Sequence, residues 1–285
     1  MDTELARTFL TVVSAGNFVK AAERLFVTQS TVSARIQSLE QQLGCRLFVR
    51  NKAGAFLTAE GQLFQKYAVS LLRTVERAHQ AVGVPHGFRA SLTIGARFAL
   101  WEDLLLPWLG AMRHTAPDIA LRTEIGFEDD LMLGLVEGGI DIAVLYTPQS
   151  RPGLTVEPLL VEELILVSTD KLENVSAALD TYVHVDWGPE FMARHAAQFP
   201  DISGFGLTAN VGWIGIEYLL MHGGCGYFPL RTVSKYLADQ RLHRVDSAPA
   251  FQLPAYLVYP SNPESGLLDT ALTQIRDLAG SLAKR

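Results

Sequence analysis

The stretch FVKAAERLFVTQSTVSARIQSLEQQLGCRLFVRNKAGAFLTAEG, residues 18–61, decides the architecture. Phe18, Ala21, Ala22 and Leu25 fall on one face of a short helix, and the small Ala21 and Ala22 let a second helix approach closely. After a brief turn, Thr28 reads as the N-cap of a helix that Gly44 stops. Its apolar stripe is Val32, Ile36, Leu39 and Leu43. The opposite face, at the N-terminal end, carries Ser30, Thr31 and Ala34, flanked by Ser33 and Arg35. Such a start suits the major groove of DNA, where Ser, Thr, Gln and Arg reach base edges or phosphates. Its free N–H groups favour phosphate as well. An ordinary three-helix bundle with a solvated polar face would show the same helices, so the flanking sequence has to separate the two readings.

Downstream, Leu47, Phe48 and Val49 read as a short strand and Phe56-Leu57 as its return. Between them lies the basic turn Arg50-Asn51-Lys52-Ala53-Gly54. Two strands joined by a basic turn directly after a recognition helix form a wing whose cations grip the phosphate backbone. Upstream, Leu5, Phe9, Val12 and Val13 recur at helical spacing, and Gly16-Asn17 signals a turn. Further on, Thr58 caps a long helix from Ala59, with an apolar stripe of Leu63, Tyr67, Leu71, Val75, Ala78 and Val82, ended by Gly83 and Pro85. A small head cannot cover so long a stripe. It reads as a dimer seam with the same helix of a second subunit, the alternative being packing on the chain's own domains.

The 285 residues make about two domains, with 48% hydrophobic and 19% charged residues. The net charge of −6 is unevenly divided: residues 1–90 hold 11 Lys/Arg against 6 Asp/Glu, and residues 91–285 hold 13 against 24. A basic head on an acidic body is expected where only the head meets a polyanion. Cys45 and Cys225 have no metal or disulfide spacing and read as small buried hydrophobes. The start MDTELARTFL is unlike a signal peptide and no apolar run approaches ~18 residues, so a cytoplasmic location is expected.

From residue 91 strands and helices alternate: SLTIGA, then a helix; IALRTEIG, then DLMLGLVEGG; then the apolar strand IDIAVLY. A second set follows, from ELILVST and TYVHVDW through CGYFPL to AYLVYP, and a last helix from Ser265 to Ala283. The pattern predicts a mostly parallel sheet covered on both faces, with ligands at the carboxyl ends of strands. No Gly-x-Ser-x-Gly elbow, phosphate loop or dinucleotide fingerprint is present, and His184-x-Asp186 lacks a third metal ligand at recognisable spacing.

AAERL, TQSTVS, I-x-x-LE-x-x-LG, LF-x-R and LT-x-x-G, in that order, resemble the signature of LysR-type transcriptional regulators. In the body, P-x-I-x-L-x-x-x-x-G (Pro117 to Gly126) and L-x-x-G-x-x-D-I-A-V (Leu135 to Val144) match the same family, so the resemblance covers nearly the whole chain. SLTIGA-x-x-x-LWE and DWGPEF are similar to the HdfR-like branch. The resemblance implies an α/β protein with an N-terminal all-α winged helix-turn-helix (1–57), a dimerisation helix and hinge (58–90) and a two-lobed type II periplasmic-binding-protein-like effector domain (91–285). Lobe I would take about 91–161 and 264–285, and lobe II about 162–263.

Carried over by position, the resemblance implies DNA contacts from Gln29, Ser30, Thr31, Ser33 and Arg35, with Arg50 and Lys52 reaching from the wing. Many members have Arg directly after VS, where this chain has Ala34. The effector cleft would lie at Ala96, Arg97, Phe98, Trp101, Gly126, Phe127, Tyr146, Trp187, Asn210 and Tyr227. Where many members have Ser or Thr, this chain has Arg97, which either pairs with a carboxylate or phosphate or fills the cleft by bonding Asp186, Glu102 or Asp103. Six aromatic rings at the predicted rim point to a flat or aromatic anion. Implied partners are an operator of two half-sites, a small effector and a second copy of the chain, with a tetramer favoured. No cofactor and no enzymatic activity are expected. The alternatives are a regulator whose cleft is closed by its own side chains, and a solute-binding-fold enzyme or binder with a DNA-localising head.

Overall fold

The computed structural model of the protein describes residues 2–51, 54–172, 181–200, 204–261 and 266–282. Local capping builds the head. Helix α1 (Thr3–Ala15) starts at Asp2, whose carboxylate accepts the Glu4 N–H, and ends on Gly16 in the left-handed region. Helix α2 (Phe18–Arg24) is capped by Asn17 through the Lys20 N–H. Helix α3 (Gln29–Leu43) is capped by Thr28 through the Thr31 N–H and ends on the left-handed Gly44. Strands β1 (Phe48–Asn51) and β2 (Gly54–Leu57) pair antiparallel, Phe48 opposite Leu57. The Glu40 carboxylate ties this hairpin to α3 by accepting the Leu47 N–H at 2.7 Å.

Helix α4 (Ala59–Val82) begins against the hairpin. A Cβ at Gly61 would run into the Leu47 carbonyl oxygen, so only glycine permits this approach. The head core gathers Phe9, Phe48 and Phe64, whose rings lie 5.0 to 5.2 Å apart from Phe9, with Val32, Ile36 and Leu39 of α3. Leu43, expected in that stripe, is exposed because the last turn of α3 projects past the core. On α4 the buried face is Phe64, Ala68, Val69 and Leu72, whereas Leu63, Tyr67 and Val82 stay 59%, 64% and 91% exposed. The helix therefore packs on its own head with one face, and the stripe is open only in part: Leu63, Tyr67 and Val82 are exposed, whereas Leu71 packs at the edge of the head core and Val75 is half-buried.

In the body, β3 (Ala90–Ala96) runs parallel to β4 (Ile119–Ile125) and to β5 (Ile142–Leu145). Between β3 and β4 the chain passes through a 3-10 turn (Phe98–Leu100), a π-helical turn (Trp101–Leu105) and helix α5 (Leu106–Thr115). Helix α6 (Glu128–Glu137) joins β4 to β5. The long strand β6 (Leu154–Ser168) then leaves this first lobe for the second. There β7 (Val183–Val185) and β8 (Leu207–Ala209) pair parallel, β9 (Cys225–Pro229) and β10 (His243–Arg244) pair antiparallel with β6, and helices α7 (Pro189–Gln198), α8 (Gly212–His222) and α9 (Leu230–Ala238) pack around them. Strand β11 (Phe251–Pro260) returns antiparallel to β6, bulges between Ala255 and Tyr256, and pairs with β5. Helix α10 (Gly266–Leu282) closes lobe I on α5, where the Trp108 indole N–H donates to the Ala271 carbonyl.

The sheet is not mostly parallel. Among the described residues parallel pairing is confined to β3–β4, β3–β5 and β7–β8, apart from an isolated bridge from Tyr182 to Cys225. The chain crosses between lobes once each way, so β6 and β11 must run antiparallel, and they form the spine. The part of β6 before Glu163 escapes a sequence reading because Glu157, Pro158 and Glu162 interrupt its alternation.

Lobe II is centred on a nest of rings: Tyr182, His184, Phe191, His195, Phe205 and Tyr227. Burial pulls the His195 imidazole down to about 4, and neighbouring His184 adds to it. The nest thus needs a neutral ring, while the unfolded chain takes up the proton near the ordinary value of 6.5. Because the folded value is the lower one, this contribution is complete above pH 6.5 and drains as pH falls toward 4. His195→Phe, of similar shape, is expected to flatten that slope in urea melts at pH 7.5 and 5. Parallel pH profiles for the two proteins would refute this.

Candidate nucleic-acid interface and effector cleft

The exposed face of α3 carries Gln29 and then Ser30, Ala34, Gln37 and Gln41 at helical steps. Ser33 is half-buried at its edge. Thr31 is turned back: its hydroxyl and that of Ser30 both lie 2.8 Å from the Thr28 hydroxyl, making a cap cluster. Arg35 is engaged elsewhere, 2.6 Å from the Glu4 carboxylate and 3.4 Å from the Thr8 hydroxyl, so its charge is pinned to α1. Arg50 lies in β1 opposite Ala55, and Lys52 lies outside the described residues. Sequence reasoning passes over Gln37 and Gln41, although their spacing from Ser30 and Ala34 carries the signal. It also misses Arg46, which borders an open groove of about 750 Å³ with Ser33, Gln37 and Gln41. The face left by these contacts is amide- and hydroxyl-rich, the chemistry that reads base edges.

The cleft forms where β3 and β4 end. Ala96 is buried, and Gly126 donates to its carbonyl at 3.4 Å. Arg97, next in chain, points into the gap with its side chain only 11% exposed. Its guanidinium lies 3.2 Å from the Glu128 carboxylate, 3.5 Å from the Asp186 carbonyl of lobe II and 4.6 Å from the Phe127 ring centre. Of the partners expected for a self-filled cleft, only Asp186 meets Arg97, and through its backbone. Glu102 and Asp103 are swung by the π-helical turn onto α9, where they pair with Lys235 and Arg231.

The rim is less aromatic than expected. Phe98 and Phe127 remain about two-fifths exposed, but Trp101, Tyr146, Trp187 and Tyr227 are buried. Rings of this size stabilise most when fully covered, and the polar handles of Tyr146, Trp187 and Tyr227 are met inside. The Trp187 indole donates to the Tyr227 carbonyl at 2.8 Å, and the Tyr227 hydroxyl to the Pro249 carbonyl at 2.9 Å. Tyr146 stands edge-on to Trp187 across the lobes at 6.4 Å. Trp213 of α8, which the sequence does not single out, faces Phe98 at 6.2 Å and is exposed. Asn210, just before α8, is exposed. Cys225 is fully buried, and burial pushes its thiol up to about 12, which fits a packing role.

Behind the cleft, Arg231 at the start of α9 spans both lobes. It donates to Glu162 of β6 at 2.5 and 3.3 Å, to Asp103 at 2.9 Å and to the Ala99 carbonyl at 3.1 Å. Burial alone would lower the Arg231 value, but hydrogen bonds and charge from Glu162 outweigh it and hold it raised. The Tyr146 hydroxyl points at the same carboxylate from 3.4 Å, and burial, then the Glu162 charge, push its value well up, so it stays a donor.

A winged helix-turn-helix on a long helix, followed by two α/β lobes around a cleft, defines a ligand-responsive DNA-binding protein. Residues 3–62 match the bacterial regulatory helix-turn-helix protein, LysR family, and residues 85–187 match the LysR substrate binding domain. The chain is 31% identical over 280 residues to the HTH-type transcriptional regulator HdfR of Yersinia pestis (strain Pestoides F), covering 94% of each. It therefore belongs to the LysR family of transcriptional regulators, with a DNA-binding head and an effector-binding domain. Its fold is similar to ArgP from Mycobacterium tuberculosis (TM-score 0.58, 24% identity, 98% of this chain and 97% of that one). It is also similar to full-length LysG from Corynebacterium glutamicum with bound effector Arg (TM-score 0.57, 20% identity, 99% of each). Among the described residues no helix is long and apolar enough to cross a membrane.

Proposed function

We propose that the protein binds an operator of two half-sites and that its cleft answers to a small anion bearing a flat or aromatic group. The observation that carries the anion is Arg97, a nearly buried guanidinium at the end of β3 with an aromatic ring beneath it. The anion would exchange for Glu128 on Arg97 and lie between Phe98 and Phe127, beside the backbone at Ala96 and Gly126, with Asn210 on the far wall. Trp101, Tyr146, Trp187 and Tyr227 would support that site from within the core. On the DNA, Gln29, Ser30 and Ser33 would work with Gln37 and Gln41 at base edges, and Arg50, Lys52 and Arg46 at phosphates, with Thr31 joining them only by turning out of the Thr28 cap cluster. Arg35 would join them only by leaving Glu4. The exposed members of the α4 stripe, Leu63, Tyr67 and Val82, support a dimer, and two dimers a tetramer. A chain working on the genome in this way would act in the cytoplasm.

Thermal shift and calorimetry against aromatic carboxylates and their neutral amides test the anion. Saturable binding of a carboxylate, weakened about tenfold or more in Arg97→Gln, is expected, since a charge-assisted hydrogen bond is worth about 1.5–3 kcal/mol. A second reading, a cleft closed by its own residues, draws on the same Arg97–Glu128 pair. In that case no anion shifts the melt, and Arg97→Gln changes stability alone.

A further inference from the structure

Helix α6 faces two ways. Glu128, Leu131 and Leu135 lie along one side, with both leucines in the lobe I core and Glu128 on Arg97. Asp129, Leu133 and Val136 lie along the other, three and four residues apart. That side meets the DNA-binding head. Val136 packs against the head's core, Asp129 pairs with Arg24 of α2 at 3.0 Å, and Glu137 pairs with Arg7 of α1 at 3.1 Å. The far end of α6 is fixed to α4, whose Arg73 donates to the Leu135 carbonyl at 3.1 Å and lies where a Cβ at Gly138 would stand 2.9 Å from its Cα. Along the head-facing side of α6, from Asp129 to Val136, the packing is looser. A cavity of about 340 Å³ remains between α1 and α6, bordered by Leu10, Val13, Met132, Leu133 and Arg151. An interface with unfilled space and partly exposed ion pairs, rather than interior packing, is one that opens at low cost.

We propose that α6 couples the cleft to the DNA-binding head: when an anion replaces Glu128 on Arg97, the first turn of α6 is released and the Asp129–Arg24 pair weakens, leaving Glu137–Arg7, at the fixed end of the helix, to hold the head against lobe I less firmly. Adjacent residues of one turn thereby serve two sites, Glu128 reading the cleft and Asp129 holding α2. The head then exchanges a docked orientation for a freer one, which changes how two heads of a dimer address two half-sites. Asp129 and Glu137 are positioning residues here and touch neither DNA nor effector. This coupling rests on Arg97 being the effector contact.

The test uses the full chain without any effector, because Glu128→Gln frees Arg97 genetically. Spin labels at cysteines replacing Lys20 on α2 and His114 on α5, in a Cys45→Ser background, read the head-to-lobe distance by pulsed electron resonance. Labelled protein is diluted with unlabelled chains so that only intrachain distances appear. The parent should give one dominant distance. Glu128→Gln should shift the docked-to-undocked ratio about two- to fivefold, the weight of one partly exposed ion pair. Asp129→Asn with Glu137→Gln should shift it at least as far, and Glu128→Gln should add nothing in that background. Arg24→Asp alone should undock the head, and Arg24→Asp with Asp129→Arg should restore docking, a rescue that loss of packing would not give. If Glu128→Gln leaves the distance unchanged while the other pair of substitutions lengthens it, the head docks but the cleft does not control it, and the coupling is overturned. If no substitution moves the distance, the ion pairs do not hold the head, and it is overturned as well. Failure of the anion reading would show separately, as no carboxylate binding to the parent while Glu128→Gln still undocks the head.

Discussion

Arg231→Met is expected to lower stability by about 3–5 kcal/mol, because it strands the Glu162 carboxylate in a site only 4% exposed. The same substitution removes the ties from α9 to Asp103 and the Ala99 carbonyl, so lobe II loses its hold on lobe I. Urea unfolding at neutral pH measures the loss. Adding Glu162→Gln should recover a large part of it, since the stranded charge rather than the missing attraction is the main cost. Asp103 is 39% exposed and remains solvated in either variant. A loss under about 1 kcal/mol, or no recovery in the double variant, would mean that the lobes are held by packing across β6 and β11 and that Arg231 is incidental.

The combined substitution Gln29→Ala, Ser30→Ala and Gln37→Ala should lower affinity for the operator by at least about two orders of magnitude, because each side chain that reads a base edge is worth ~1–3 kcal/mol of discrimination. Affinity for random DNA should barely change, and so should the dependence on salt, because every cation that meets a phosphate is still present. Arg46→Ala should do the reverse, weakening operator and random DNA alike and lowering the salt slope by about one. These outcomes separate reading from gripping. Equal losses on operator and random DNA in the triple variant would place base reading elsewhere, with the wing the first alternative.

The head is legible in the sequence because its determinants are local. Asn17, Thr28, Gly16 and Gly44 cap or end helices within a few residues of themselves, and their side chains and backbone angles do so in the structure. Helix α4 is legible only in part: the stripe from Leu63 to Val82 is visible, but the Phe64, Ala68 and Leu72 face that covers the head is not separated from it. In the body β5 is legible from its continuous apolar run, and β3 and β4 from short β-rich segments that alternate with helical patterns. The antiparallel spine is not, since β6 carries glutamates whose partners lie far off in sequence, Arg231 for Glu162 and Arg276 for Glu157. The same distance rule governs the cleft. That Arg97 sits at a strand end is local, but its direction is set by Glu128, 31 residues later, and by the Asp186 carbonyl of the other lobe. Aromatic residues near strand ends are recognisable as a group, whereas which of them turn inward depends on close approaches such as Trp187 over Gly212, where an added Cβ would meet the ring at 2.5 Å.

Footprinting on the DNA upstream of the protein's own gene, then on genomic fragments, tests the central claim most directly. Parent protein and the triple variant at Gln29, Ser30 and Gln37 are compared across a salt series. Protection over two half-sites whose centres lie about one helical turn apart, or a multiple of it, lost in the folded variant, is the expected result. A folded parent that protects no sequence in preference to any other, on its own upstream region or on the genomic fragments, would contradict it.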